Sequence, residues 1–236
     1  MYRLEMSCQI IHDSIHSRPG WTREYSLQID GVHVGYGSLA IAGPWTKNPA
    51  LYEFFVAEPY RLKGFELFRA LRKACGATRM EIQSNDVQAS VMFHTYATNF
   101  EAESILFKDE VTTNQPLTGA TFRTATAEDG LDISSQQLPW HGVVEVDGAV
   151  AATGGILFHY NRPYGDIYMD VREEFRRRGL GSFIVQELKR VCYEGGFKPG
   201  ARCSSKNIAS QRTLQRAGFV PYANLLVGDL PPVESQ

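Results

Sequence analysis

Hydrophobic and polar residues alternate from Tyr25 to Ile41 (YSLQIDGVHVGYGSLAI) around an Asp30-Gly31 pair. Successive strand side chains face opposite sides, and Asp-Gly accepts a left-handed turn, so the stretch predicts a β-hairpin. A loop with Gly43-Pro44 and Pro49 leads to an apolar strand, Leu51 to Val56. The period then lengthens. Phe65, Phe68, Leu71 and Cys75 fall near one face of a helix that Gly76 stops. Met80 to Gln83 reads as a short strand, Asp86 to Tyr96 as a helix, and Ser104 to Phe107 as a strand.

After the polar, turn-rich stretch VTTNQPLTG (111–119), the same order returns. Val143 to Val146, an Asp147-Gly148 turn and AVAATGGILF predict a second hairpin. A strand ending at Val171 follows. Next comes a helix with Phe183, Ile184, Leu188, Val191 and Cys192 on its apolar side and Gly195-Gly196 as its stop. A strand around Ala201 to Cys203, a helix starting near Asn207, and strands at Phe219-Val220 and Leu225 to Val227 complete the set.

Spacing tests the repetition. Val56, Arg61 and Gly64 keep the intervals of Val171, Arg176 and Gly179, and Asn85 and Asn207 each follow the next short strand. An ordered set of matches predicts a tandem repeat of one α/β unit of about 115 residues. The turn-rich linker puts the boundary between residues 1–117 and 118–236.

The repeat singles out one loop. Arg176-Arg177-Arg178-Gly179-Leu180-Gly181-Ser182 lies between a strand and a helix. Unpaired N–H groups and the positive end of the helix dipole make such a start an anion site, and glycines let an anion reach the backbone. The first repeat carries Glu66 where the second has Gly181. A carboxylate and a side chain there oppose a bound phosphate.

Composition narrows the partners. Apolar content of 43%, charged content of 21% and a formal net charge of −2 fit a soluble protein with no general attraction to nucleic acid or membrane. No apolar run reaches the ~18 residues that span a bilayer, and the N-terminus has no signal-peptide core. Cys8, Cys75, Cys192 and Cys203 lack metal-binding spacing and are expected as reduced residues of a cytoplasmic protein. His12 and His16 have the spacing of helix ligands but no accompanying carboxylate motif, so no metal is expected.

The second repeat resembles the GNAT superfamily of acyl-CoA-dependent N-acyltransferases over about Thr121 to Leu226. Arg176-Arg177-Arg178-Gly179-Leu180-Gly181 stands as that family's cofactor signature. Asn207, Ser210 and Gly218-Phe219 in NIASQRTLQRAGF have the spacing of the helix beside the pantetheine arm. The resemblance implies two tandem GNAT-type units, each a mixed, largely antiparallel sheet with flanking helices. It implies acetyl-CoA as acyl donor, held by Met169, Asp170, Val171, Arg176, Arg177, Arg178, Gly179, Leu180, Gly181, Ser182, Asn207 and Ser210.

The first repeat then resembles a degenerate unit without a donor site, left to cover its partner and shape the acceptor pocket. The family's helices between its first two strands find little room in LDISSQQLPW (131–140).

The expected reaction moves an acetyl group to the primary amine of a small molecule or protein, in a monomer or homodimer. An ammonium must lose a proton before it attacks, so a carboxylate is the expected base. Asp166, Tyr168 and Asp170 alternate onto one strand face, making Asp170 or Asp166 the candidate. The tyrosine that often protonates the thiolate in this family is Leu214 here, so Tyr222 or Ser210 substitutes, or the thiolate leaves unaided. Two other readings follow: a non-catalytic acyl-CoA sensor, and a transferase of another acyl or aminoacyl group.

Overall fold

A computed structural model describes residues 13–130 and 140–233. Contacts divide the chain into two units, Met1–Ile105 with Ala223–Gln236, and Leu106–Tyr222. The first unit is therefore built from two chain segments. The expected boundary at 117/118 lies inside the second unit, because the turn-rich stretch is tied down there. Gln115 N donates to Gln186 Oε1 at 2.9 Å, and Gln115 Nε2 donates to Arg216 O at 3.2 Å.

Among the described residues the first unit opens with a four-residue helix, α1 (Asp13–His16), and the hairpin β1 (Thr22–Ile29) and β2 (Val32–Ala40). Asp30 and Gly31 both take positive φ, 50° and 78°, as the turn requires. β3 (Ala50–Val56) pairs antiparallel with β2 and parallel with β4 (Arg79–Gln83). The C-terminal part of the last strand, β11 (Phe219–Asp229), extends this sheet by pairing antiparallel with β4.

Two helices, α2 (Gly64–Cys75) and α3 (Val87–Tyr96), complete the first unit. α2 buries Leu67, Phe68, Leu71 and Cys75, with Phe68 edge-on to Phe54. Phe65, expected on this face, is exposed, and Leu67 takes its place.

In the second unit β6 (Ala120–Thr124), β7 (His141–Val146), β8 (Ala149–Leu157) and β9 (Tyr164–Val171) run antiparallel in sequence order. The Asp147-Gly148 turn repeats the geometry of its counterpart, φ 50° and 77°. β10 (Lys198–Ser204) lies parallel to β9. The ends of β5 (Thr98–Asp109) and β11 nearest this unit belong to it as well, with α4 (Leu180–Glu194) and α5 (Ile208–Arg216).

α4 buries Ile184, Val185, Leu188 and Cys192 under the sheet. It also buries a charge. Lys189 Nζ donates to Val111 O and Ala217 O at 2.7 Å each and pairs with Asp109 at 2.5 Å. A buried ammonium is tolerated only with such partners, so Lys189 fixes α4 against the turn that ends α5.

Cys75, Cys192 and Cys203 are free and buried, and burial pushes the Cys192 thiol up to about 12. Cys8, His12 and residues 131–139 lie outside the described residues. Both nitrogens of His16 face carboxylates, Glu24 at 3.2 Å and Glu53 at 3.0 Å. Among the described residues no helix is long and apolar enough to cross a membrane.

Candidate active site

The divergence of two parallel strands builds the site. β9 and β10 pair only from Tyr164↔Lys198 to Asp166↔Gly200, and beyond that point the edges part. Arg172 N donates to Ala151 O of β8, so even-numbered residues of β9 turn their backbone polar groups toward β8. Met169 and Val171 therefore present theirs to the gap. An open strand edge is a template for an extended ligand with amide groups of its own.

A backbone nest stands at the mouth of this gap. After the short 3-10 turn Glu173–Phe175, Arg177 and Gly179 both adopt left-handed φ, 62° and 84°. Alternating left- and right-handed residues turn successive N–H groups into one concavity, here at the first turn of α4. Ser182 Oγ donates to Gly179 O at 3.0 Å, which steadies the turn. Arg176 Nε donates to Val171 O at 3.0 Å and joins the loop to the strand.

α5 forms the opposite wall. Asn207 caps it, accepting from Ser210 N at 3.0 Å, which satisfies one orphan donor. Gly181 faces α5 closely. A Cβ built there would lie 3.0 Å from Thr213 Cγ2 and 3.6 Å from Met169 Cε.

The resulting cleft of about 810 Å³ is lined by Met169, Asp170, Val171, Arg176, Arg177, Gly179, Leu180, Gly181, Ser182, Asn207 and Ser210. Sequence reasoning missed Phe175, Ala209, Arg212, Thr213 and Arg216, which also line it. A signal for Arg212 and Arg216 existed in their i, i+4 spacing along the helix that Asn207 caps.

Two expected residues lie elsewhere. The Arg178 guanidinium packs over the Phe175 ring at 5.4 Å, outside the lining. Tyr222 is also absent from the lining, and its ring carries the Lys108 ammonium at 5.0 Å.

Asp166, Tyr168 and Asp170 share the sheet face opposite α4. Gly154 approaches Leu188 of α4, while Gly155 lies against the Tyr168 ring. Asp170 is exposed and lines the cleft. Asp166 is buried, with its Oδ2 3.0 Å from His159 Nε2. Tyr168 leans across Gly155 so that its hydroxyl meets His141 Nδ1 at 2.9 Å. Burial pulls His141 down and pushes Tyr168 up, so both are neutral near pH 7.

The first unit repeats this frame and alters its contents. Arg61 Nε donates to Val56 O at 3.2 Å, and Ala57 N donates to Val34 O, as Arg176 and Arg172 do in the second unit. β3 and β4 part after Leu51↔Met80. Here the gap is filled: Gln88 Oε1 accepts from Val56 N at 3.0 Å, and Gln88 Nε2 donates to Val56 O at 3.2 Å. The N-cap of α3 is Asp86, not Asn85, so Asp86 corresponds to Asn207 and Gln88 to Ala209.

The loop before the helix differs too. Gly64 has helical φ, −53°, and no residue of its loop is left-handed. Leu62, fully exposed, stands where the second unit has Arg177. Glu66, in place of Gly181, pairs with Lys63 at 2.9 Å.

The profile of the acetyltransferase (GNAT) family matches residues 108–219, nearly the whole second unit. Residues 108–219 thus carry the match to a GNAT acetyltransferase domain, which supports an acyltransferase. A GNAT-family acetyltransferase from Colwellia psychrerythraea is similar to 97% of this chain over 94% of its own, at 14% identity and TM-score 0.73. A tandem GNAT protein from the clavulanic acid biosynthesis pathway is similar over 92% and 86% of the two chains, at 14% identity and TM-score 0.58. A GCN5-related N-acetyltransferase from Kribbella flavida is similar over 84% and 88%, at 18% identity and TM-score 0.54. At such identities these likenesses bear on the fold alone. No curated protein matches the sequence.

Proposed function

We propose that the second unit transfers an acetyl group from acetyl-CoA to a primary amine. One observation carries the reading: an open strand edge and an anion nest share one cleft. The nest, with Arg177, Arg212 and Arg216 around it, suits the donor's pyrophosphate. Met169 and Val171 suit the amides of its pantetheine arm. Gly181 lets α4 and α5 approach closely at the cleft wall, and Asn207 and Ser210 form the far wall. Asp170, exposed on the acceptor-facing side, attracts an ammonium and is a candidate to take its proton.

The first unit has no donor site in this reading. Gln88 sits where a pantetheine amide would pair, and Glu66 and Leu62 replace the groups that would hold the pyrophosphate. The filled gap supports this more directly than the sequence difference at Glu66. The side-chain amide of Gln88 offers Val56 the same donor and acceptor a ligand would offer.

A sensor that binds the donor without turnover is the second reading, favoured by Leu214. That residue is buried and apolar where the GNAT resemblance often implies a tyrosine proton donor. One assay separates the two: CoA release from acetyl-CoA with propylamine, spermidine, lysine and kanamycin, beside calorimetric binding of acetyl-CoA. Turnover with any amine at a stoichiometry of one donor per chain is expected. Binding without CoA release would favour the sensor, and two donors per chain would refute the assignment of the first unit.

A further inference from the structure

Arg176, Arg177, Arg212 and Arg216 all line the cleft, and Arg176 is already tied to Val171. The other three are exposed, and none has a side-chain hydrogen bond, ion pair or ring contact among the described residues. Other arginines of this unit find acids: Arg123 pairs with Asp129 and Glu145, and Arg190 with Glu187 and Glu194. Unneutralised guanidinium groups around a concavity raise the local concentration of anions and favour those with phosphate oxygens. The three stand on two walls. Arg177 belongs to the nest before α4, whereas Arg212 and Arg216 belong to α5.

α5 sets the order of groups along its wall. Asn207, Ser210, Thr213 and Arg216 all line the cleft and succeed one another at about 4.5 Å along the helix axis. Asn207 stands at the gap end, just past β10, which borders the gap. Thr213 faces Gly181 in the first turn of α4. Arg216 lies in the last turn of α5, beyond Thr213 on the side away from the gap, and Arg212 stands one turn before it on the same face.

An acyl-CoA donor has a matching order: thioester, pantetheine arm, diphosphate, and then a ribose that carries a third phosphate. With the arm along Met169 and Val171 and the diphosphate on the nest, the ribose phosphate falls past Thr213, beside Arg212 and Arg216. It is a monoester with a charge of about −1.5 to −2 near neutral pH, more than either phosphate of the diphosphate carries.

The first unit provides an internal control. With Asp86 and Asn207 matched as helix caps, Val91 falls at Arg212, Thr95 at Arg216, and buried Phe93 at buried Leu214. Leu62 stands at Arg177. Thr95 turns its hydroxyl back to Val91 O of its own helix, 2.7 Å away. Leu62 and Val91 are both exposed, so burial does not forbid an arginine at either place. The unit whose gap Gln88 fills nonetheless has none of the three.

We propose that Arg212 and Arg216 form a separate subsite for the ribose phosphate of the donor and make the second unit selective for CoA over dephospho-CoA. This rests on the donor reading above and refines it, leaving the diphosphate to the nest and Arg177. Guanidinium groups one turn apart converge on a single phosphate, each presenting paired N–H donors to its oxygens.

The test measures binding of CoA and of dephospho-CoA, which lacks only the ribose phosphate, to the full chain by calorimetry. Melting temperature serves as a check on folding. The unaltered chain is expected to bind CoA at least tenfold more tightly, since one charge-assisted hydrogen bond contributes about a factor of ten or more. The Arg212→Gln/Arg216→Gln double variant should bind CoA at least tenfold more weakly and dephospho-CoA within twofold of the unaltered chain, so that the preference disappears. A merely structural role would move both ligands together. Arg177→Gln should weaken both ligands by a similar factor and keep the preference; its loss there would place the monoester at the nest and overturn the proposal. Affinities of the unaltered chain within twofold of each other overturn the proposal and leave the donor reading standing. A folded double variant that keeps the preference, or weakens both ligands equally, does the same. An unaltered chain that binds neither ligand overturns the donor reading and the proposal together.

Discussion

Gly181→Glu copies into the second unit the residue that the first unit carries as Glu66. Position 181 lies in the first turn of α4, 3.0 Å from Thr213 Cγ2 by its absent Cβ, so a side chain there projects into the wall of the cleft. Two effects oppose a bound pyrophosphate. The methylene pushes against Thr213, which must give by a few tenths of an ångström. The carboxylate meets two phosphate charges; at ~4 Å each pair costs about 1 kcal/mol even in a water-like dielectric and about 4 kcal/mol in a partly shielded one. The lower limit for two pairs, about 2 kcal/mol, weakens binding roughly 30-fold. The fold should survive, since replacing a helical glycine gains up to about 1 kcal/mol of helix propensity. Calorimetry with acetyl-CoA measures the loss, and a thermal melt guards against unfolding. Gly181→Ala separates the causes: it keeps the steric contact without the charge, and its affinity should fall less than fivefold. An unchanged dissociation constant in a folded Gly181→Glu variant would refute the placement of the pyrophosphate at this turn.

Ala209→Gln transplants the plug of the first unit. Two hydrogen bonds to Val171 gain about 2 kcal/mol and ordering a glutamine costs about 1.5, so acetyl-CoA binding should weaken about threefold with little change in melting temperature. Affinity equal to that of the unaltered chain would show that the donor does not use this edge. In the first unit, His16 is raised to about 10, first by hydrogen bonds to Glu24 and Glu53. A group whose folded pKa exceeds its unfolded value of 6.5 contributes fully below pH 6.5, and the contribution fades as pH rises toward 10. Denaturant melts should lose stability across that window, and His16→Gln should flatten the loss. A slope that persists in His16→Gln would assign it to another group.

Both hairpins were legible because Asp-Gly between alternating residues leaves the backbone few choices, and both turns have nearly the same dihedrals. The glycine loop was legible as well, since Gly179 needs the left-handed conformation that its residue type allows. The second positive φ falls on Arg177, which no residue preference announces. Asn85 was misaligned with Asn207 because the sequence matched residue type. The structure matches cap geometry, and an aspartate caps α3 as well as an asparagine caps α5.

The sequence by itself determined the repeat, the order of elements in each unit, the glycine loop and the face shared by Asp166, Tyr168 and Asp170. These follow from local rules: side-chain period, turn dihedrals and unsatisfied N–H groups at a helix start. Only the tertiary structure decided that β9 and β10 part after Gly200, that Gln88 reaches Val56 from 32 residues away, and that Asp166 lies against His159. It also decided that the final strand completes the first unit. Each of these depends on which strands lie side by side and where their pairing ends. That is set by packing between distant segments, and no period within either segment records it.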